Sequence, residues 1–91
     1  MTTAVERYRA VKKEHPDRLL LMRVGDFYEA LDEDAVELAL AFELHVTWRW
    51  NGPKERAPMA GIPYHQVGHC IESLLAHGRT VALLEPQPDG E

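Results

Sequence analysis

Leu19-Leu20-Leu21-Met22-Arg23-Val24-Gly25-Asp26-Phe27-Tyr28-Glu29-Ala30-Leu31 is the stretch on which the fold turns. Leu19 to Val24 is an apolar run broken only by Arg23, short enough for a buried strand. Gly25-Asp26 supplies a turn, and Phe27 to Leu31 reads as the returning arm of a β-hairpin. Along that arm, period two puts Phe27 and Glu29 on one face about 7 Å apart and turns Tyr28 to the other.

Working outward toward the N-terminus, Ala4, Tyr8 and Val11 recur at helical spacing among Arg7, Arg9, Lys12 and Lys13, which predicts an amphipathic helix from about Thr3 to Glu14. Thr2 or Thr3 can cap it, and His15-Pro16 ends it, because proline disfavours helical geometry in the residue before it. On the other side of the hairpin, Asp32 is the expected N-cap of a second helix reaching about Glu43, with Ala35, Leu38, Ala39 and Phe42 on one face. Leu44 to Trp50 alternates: Leu44, Val46, Trp48 and Trp50 fall on one side, His45, Thr47 and Arg49 on the other. Asn51-Gly52-Pro53 breaks this strand. Lys54 to Pro58 reads as a charged surface loop, and Met59 to Ile62 as a short extended piece. From His65, Val67, Ile71, Leu74 and Leu75 mark a third helix closed by Gly78, and Thr80 to Leu84 reads as a last buried strand. The order α-β-β-α-β-β-α-β predicts an α/β fold, a small mixed sheet flanked by about three helices.

At 91 residues the chain has room for one domain, expected over 1–85 with a frayed Pro/Gly/acidic tail over 86–91. Its single cysteine, Cys70, rules out an internal disulfide, and no stretch has the length or apolarity of a signal peptide or a membrane span. A cytoplasmic location follows as the expectation, with no membrane partner. The net charge of −5 argues against nucleic-acid binding by bulk electrostatics, yet the charge is uneven. Met1 to Gly25 carries +3, Asp26 to His45 carries −7 and Val46 to Gln66 carries +2, so an anionic partner would meet the first and third segments.

An aromatic ring beside a hydrogen-bond acceptor, as at Phe27 and Glu29, can serve to probe DNA. An apolar ring enters between base steps, whereas a carboxylate repels phosphates and is useful only at a base edge. The plainer alternative packs Phe27 in the core and leaves Glu29 as a solvated rim charge. Trp48, Arg49 and Trp50, followed by Lys54 and Arg56, form an aromatic and basic cluster suited to phosphate contact with stacking, or simply two core tryptophans and a solvated loop. The basic side chains of the first helix read as a solvated face. His65 and His69, four apart, could share a metal, but Cys70 points about 100° away and no third ligand shares their face. Phosphate-loop, dinucleotide and nucleophile-elbow signatures are missing, and Asp26 with Glu29 lacks the lysine a metal nuclease would need. Ser73 and Cys70 have no base partner by spacing. No enzyme is read from these residues.

Arg23-Val24-Gly25-Asp26-Phe27-Tyr28-Glu29, followed by Pro58-Met59-Ala60-Gly61-Ile62-Pro63-Tyr64-His65, resembles the N-terminal mismatch-recognition domain of the MutS family of DNA mismatch repair proteins. The likeness extends over nearly the whole chain. It implies that Phe27 stacks on a mispaired base from the minor groove and that Glu29 hydrogen-bonds that base; Arg49, Lys54 and Arg56 are expected as further DNA-binding residues on the strength of the aromatic and basic cluster, not of the resemblance. It implies support, not chemistry, for Pro58 to His65. In that family the clamp, connector and ATPase domains lie elsewhere, so no ATP site and no cofactor is expected within these residues. A further basic strand that normally completes the domain would lie beyond Glu91, and Trp48 and Trp50 stand where the family usually has small or basic residues.

The expectation is therefore a stand-alone binding module for mismatched duplex DNA, cytoplasmic and nucleoid-associated. It should bind weakly by itself, no better than about 10⁻⁴–10⁻⁶ M, and need a companion clamp or ATPase chain. The competing reading is a regulatory protein that keeps the fold and docks on another protein, such as a mismatch-repair subunit, through its exposed aromatic surface. A degenerate fragment is a third reading, and an enzyme a distant fourth.

Overall fold

A computed structural model describes residues 2–86. The elements follow the order α1 (Ala4–Glu14), β1 (Leu19–Val24), β2 (Phe27–Leu31), α2 (Asp32–Phe42), β3 (Thr47–Asn51), β4 (Glu55–Pro63), α3 (Val67–Ala76) and β5 (Val81–Leu84), with a 3-10 turn over Tyr64–Gln66 ahead of α3. The five strands form one mixed sheet in the order β3-β4-β2-β1-β5. β1, β2, β4 and β3 run antiparallel to their neighbours, and β5 lies parallel to β1. The expected α/β class and element order are those observed.

The β1–β2 hairpin closes as its sequence asks. Val24 pairs with Phe27, so Gly25 and Asp26 are the whole turn, and Gly25 carries the positive φ (58°) that a type II′ turn needs at its first position. Alternation then sorts the two sheet faces. Leu19, Leu21, Tyr28, Ala30, Ala60 and Ile62 meet Ala35 and Leu38 of α2 and Cys70 and Leu74 of α3. On the opposite face, Leu20, Met22, Leu31 and Ala57 meet Val5 and Tyr8 of α1. The core thus lies in two layers, one on each side of the sheet.

Several boundaries depart from the sequence reading. α1 is capped by Thr3 in a reciprocal box with Glu6 and buries Val5 and Tyr8, while Ala4 stays exposed. Asp32 does not cap α2: its φ is 56° and it makes no cap bond, because its carboxylate accepts from Arg9 Nε and Nη2 at 2.9 and 3.0 Å. β3 starts at Thr47 instead of Leu44. The Leu44 amide donates to Ala39 O, which ties that residue to the end of α2.

The largest correction is Lys54 to Pro58. Lys54 does belong to the β3–β4 turn, but the rest is not a loop: Glu55 to Pro63 is a nine-residue strand pairing β3 on one side and β2 on the other. Pro58 hides this from sequence patterning, yet it is tolerated because β2 ends at Leu31 opposite Met59, so one side of Pro58 lacks a strand partner. β5 is a half-buried edge strand, with Leu83 46% exposed, and not the buried strand expected. α3 begins at Val67 after the 3-10 turn and ends at Gly78 (φ 83°), where Gly78 N–H donates to Leu75 O and Arg79 N–H to Leu74 O. The tail expected over 86–91 lies outside the described residues from position 87 onward.

The basic face of α1 is also not free. Arg9 pairs with Asp32 and Glu55, Lys12 Nζ lies 2.9 Å from Asp34 Oδ2, and Arg7 donates to Glu85 O. Asp34 is itself buried and accepts from Leu20 N–H at 2.9 Å and from Tyr8 Oη at 3.2 Å. These contacts pin α1 and the start of α2 to the sheet. Burial, ahead of the bonds around it, pushes the Tyr8 phenol far above its ordinary range, so it acts only as a neutral donor. No described helix is long and apolar enough to cross a membrane.

Candidate nucleic-acid interface

Phe27 opens β2 directly after the tight turn, where its ring is 45% exposed. It shares the α1-side sheet face with Glu29 and Leu31, but α1 covers only the Leu31 end of that face. The Phe27 end stays open. Beside the ring lies a hollow of about 280 Å³ lined by Phe27, Glu29, His45, Thr47, Met59 and Gly61. Gly61 belongs to its lining: a Cβ there would stand 3.4 Å from Phe27 Cδ2 and 3.7 Å from Glu29 Cγ, in ordinary contact with both side chains.

Glu29 is not the solvated rim charge of the plainer alternative, nor does it stand open to solvent beside Phe27. It is 5% exposed, and Arg49 grips it as a fork, Nε to Oε1 at 2.7 Å and Nη2 to Oε2 at 2.8 Å. The reason is topological, since Arg49 stands on β3 and reaches across β4 to β2, and the first half of β4 reads as a loop from sequence. The carboxylate raises the Arg49 pKa above its ordinary value, chiefly through these hydrogen bonds.

The back of the hairpin is braced from the other face. Tyr28 is buried, as its alternation implied, and stacks with Tyr64 at 6.1 Å between ring centres. The Arg23 guanidinium lies 3.9 Å over the Tyr64 ring, and Tyr64 N–H donates to Asp26 O at 2.7 Å. Tyr28 Oη donates to Glu85 Oε2 at 2.5 Å, and burial first, then this bond, raises the Tyr28 pKa. The turn that presents Phe27 is therefore held at its base, while the ring itself stays exposed.

The remaining basic residues singled out in the sequence do not join this site. Arg56 stacks 4.2 Å over Trp48, and both side chains leave the sheet on the α2 side, opposite Phe27. Lys54 lies in the β3–β4 turn, at the far end of β4. Trp48 and Trp50 are exposed, at 46% and 60%, and do not pack in the core. His65, His69 and Cys70 line a separate groove with Phe42, Leu44, Ile62 and Gln66, and no grouping able to hold a metal ion occurs among the described residues. Burial pushes the Cys70 thiol up to about 11, which removes it as a nucleophile near neutrality.

With an exposed phenyl and a held carboxylate mounted on this hairpin, comparison with known proteins becomes decisive, and the family model of MutS domain I matches residues 2–90. The chain belongs to the MutS domain I family. It is 40% identical over 88 residues to the DNA mismatch repair protein MutS of Geobacillus sp. (strain WCH70), covering 97% of this chain and 10% of that protein. It is 45% identical over 85 residues to the protein of the same name from Lactobacillus acidophilus, covering 93% and 10%. The chain thus spans about a tenth of the length of the relatives it matches.

Within this MutS domain I, sequence reasoning passed over His45, Thr47, Met59 and Gly61 as parts of the hollow beside Phe27. The signal for two of them was present, since alternation had placed His45 and Thr47 on the same side as Arg49. What was missing was the pairing of Thr47 with Met59, which brings that side next to Phe27 and Glu29.

Proposed function

We propose that this chain is a binding module for mismatched duplex DNA, with Phe27 as the wedge and Glu29 as the acceptor for the mispaired base. The exposed Phe27 ring on a braced turn beside Glu29, on the sheet face that α1 leaves open, carries this reading. Inserting a ring between base steps costs a few kcal/mol of stacking, and the cost is least where pairing is already defective. That difference is the source of preference. Glu29 repels phosphates, so its place beside the wedge favours a base edge as its partner.

Affinity for duplex backbone comes from cations meeting phosphates, and here Arg9, Lys12, Arg49 and Arg79 are held by carboxylates of the same chain. The module therefore binds weakly alone, and a clamp or ATPase element supplied by the rest of a longer protein or by a companion chain provides the grip. Lys54 stands in the turn at the other end of β4, roughly 30 Å from the wedge at 3.3 Å per residue, and acts as an outlying phosphate contact, whereas Arg56 faces the opposite side of the sheet. The module performs no covalent chemistry of its own in this reading.

Titration of labelled matched and G·T duplexes at low salt tests the proposal. Tighter binding of the G·T duplex, lost in Phe27→Ala, is the expected result; equal binding of both by the unaltered protein removes it. One observation favours a second reading: Trp48 and Trp50 are exposed on edge strand β3, a surface suited to a protein partner. A protein complex broken by Trp48→Ala or Trp50→Ala, with no discrimination between duplexes, would favour that alternative.

A further inference from the structure

We propose that Arg49 is the positioning residue of this site: it acts on DNA through Glu29, whose carboxylate it orients beside the Phe27 ring, and not as a phosphate contact. The inference rests on the wedge reading above and adds to it the device that aims the acceptor.

The geometry is that of two planar groups locked edge to edge. Both guanidinium nitrogens facing Glu29 lie within 2.8 Å of separate carboxylate oxygens, a bidentate fork that fixes the plane of the carboxylate as well as its place. A lysine would supply charge without fixing the plane. The pair closes across β4, between Arg49 opposite Ala57 on β3 and Glu29 opposite Gly61 on β2.

The fork leaves acceptor capacity to spare. A carboxylate offers about four lone-pair positions, and Arg49 fills two of them. A base donor approaching past Phe27 can therefore be accepted without breaking the ion pair. The guanidinium, in contrast, has its charge compensated at contact distance, so it contributes little to attracting phosphate. An arginine used in this way governs which duplex is preferred more than how strongly any duplex is held.

The test compares the unaltered protein with Arg49→Lys, Arg49→Met, Glu29→Ala and the double variant Glu29→Ala/Arg49→Met, titrating matched and G·T duplexes at two salt concentrations. Arg49→Met leaves Glu29 buried without its cation, so melting curves accompany the titrations; Arg49→Lys keeps the charge, and the double variant removes both charges. The G·T preference should fall roughly five- to tenfold, at the low end of what one base contact is worth, in Arg49→Lys as well as Arg49→Met. The salt dependence of matched-duplex binding should keep its slope. In the Glu29→Ala background, Arg49→Met should bring no further loss of preference.

Equal weakening on both duplexes with a salt slope reduced by about one would make Arg49 a phosphate contact and overturn the proposal. Full preference in Arg49→Lys, or a further loss in the double variant, would overturn it as well. Absence of any preference in the unaltered protein removes the wedge reading and this inference together. A Phe27-dependent preference that survives every Arg49 variant removes this inference alone.

Discussion

Two buried carboxylates, Asp34 and Glu29, lie 5% exposed in this small domain, and each faces a cation. Asp34 is consumed by the fold: it accepts from a backbone amide, a phenol and an ammonium, with Arg79 Nη2 3.9 Å away, beneath α1 and the start of α2. Among the described residues Glu29 is held by Arg49 alone, at the open end of the sheet beside a half-exposed ring. A buried charge that accepts from three donors of its own chain builds structure. One left with spare positions next to an exposed aromatic is, in the reading proposed above, the group that meets a ligand.

The comparison makes its largest prediction at Asp34. Asp34→Ala strands the Lys12 ammonium and the Leu20 amide, and should cost about 3–5 kcal/mol, most of the stability of a domain this size. Urea unfolding measures it, and a loss below 1 kcal/mol would refute the structural role. Tyr8→Phe removes a donor shared between Leu20 O and Asp34 and should cost about 1–2 kcal/mol, with G·T preference intact.

Phe27→Ala is the counterpart at the open end. With the ring already 45% exposed, truncation should cost only about 1 kcal/mol, yet abolish discrimination between duplexes. A large stability loss would mean that the ring belongs to the core after all. The smallest effect is confined to alkaline solution. The Cys70 thiol, raised to about 11 in the folded state, keeps its proton where the unfolded thiol has lost it. Stability should therefore fall as pH climbs from about 8.5 toward 11, and Cys70→Ala should flatten this slope. Alkylation of Cys70 at pH 8 would then follow opening of the fold, fast in Asp34→Ala and close to the unaltered rate in Phe27→Ala.

How far the site was legible depended on how local its parts are. The hairpin was readable because its turn needs Gly25 and its arms obey period two over a few residues; that Phe27 and Tyr28 stand on opposite faces followed from that alone, but not which of the two stays exposed. The fate of Glu29 was not readable, because its partner arrives from β3 across β4. Charged Lys54 to Arg56 and then Pro58 made the first half of β4 look like a loop, and with β4 shortened nothing linked Arg49 to Glu29. The α1 cations misled for the same reason: Asp32 and Asp34 look like helix-cap and dipole residues until α1 is laid over the sheet.

By itself, then, the order of residues determined the element sequence, the face on which each strand residue stands and the presence of an aromatic beside an acid at a tight turn, because these depend on spacing within a few positions. Only the tertiary structure decided which charges neutralise one another, which tryptophans stay exposed and which sheet face is left open beside Phe27. Strand neighbours and helix placement set those outcomes through contacts between residues far apart in the chain, and local periodicity holds no information about such distances.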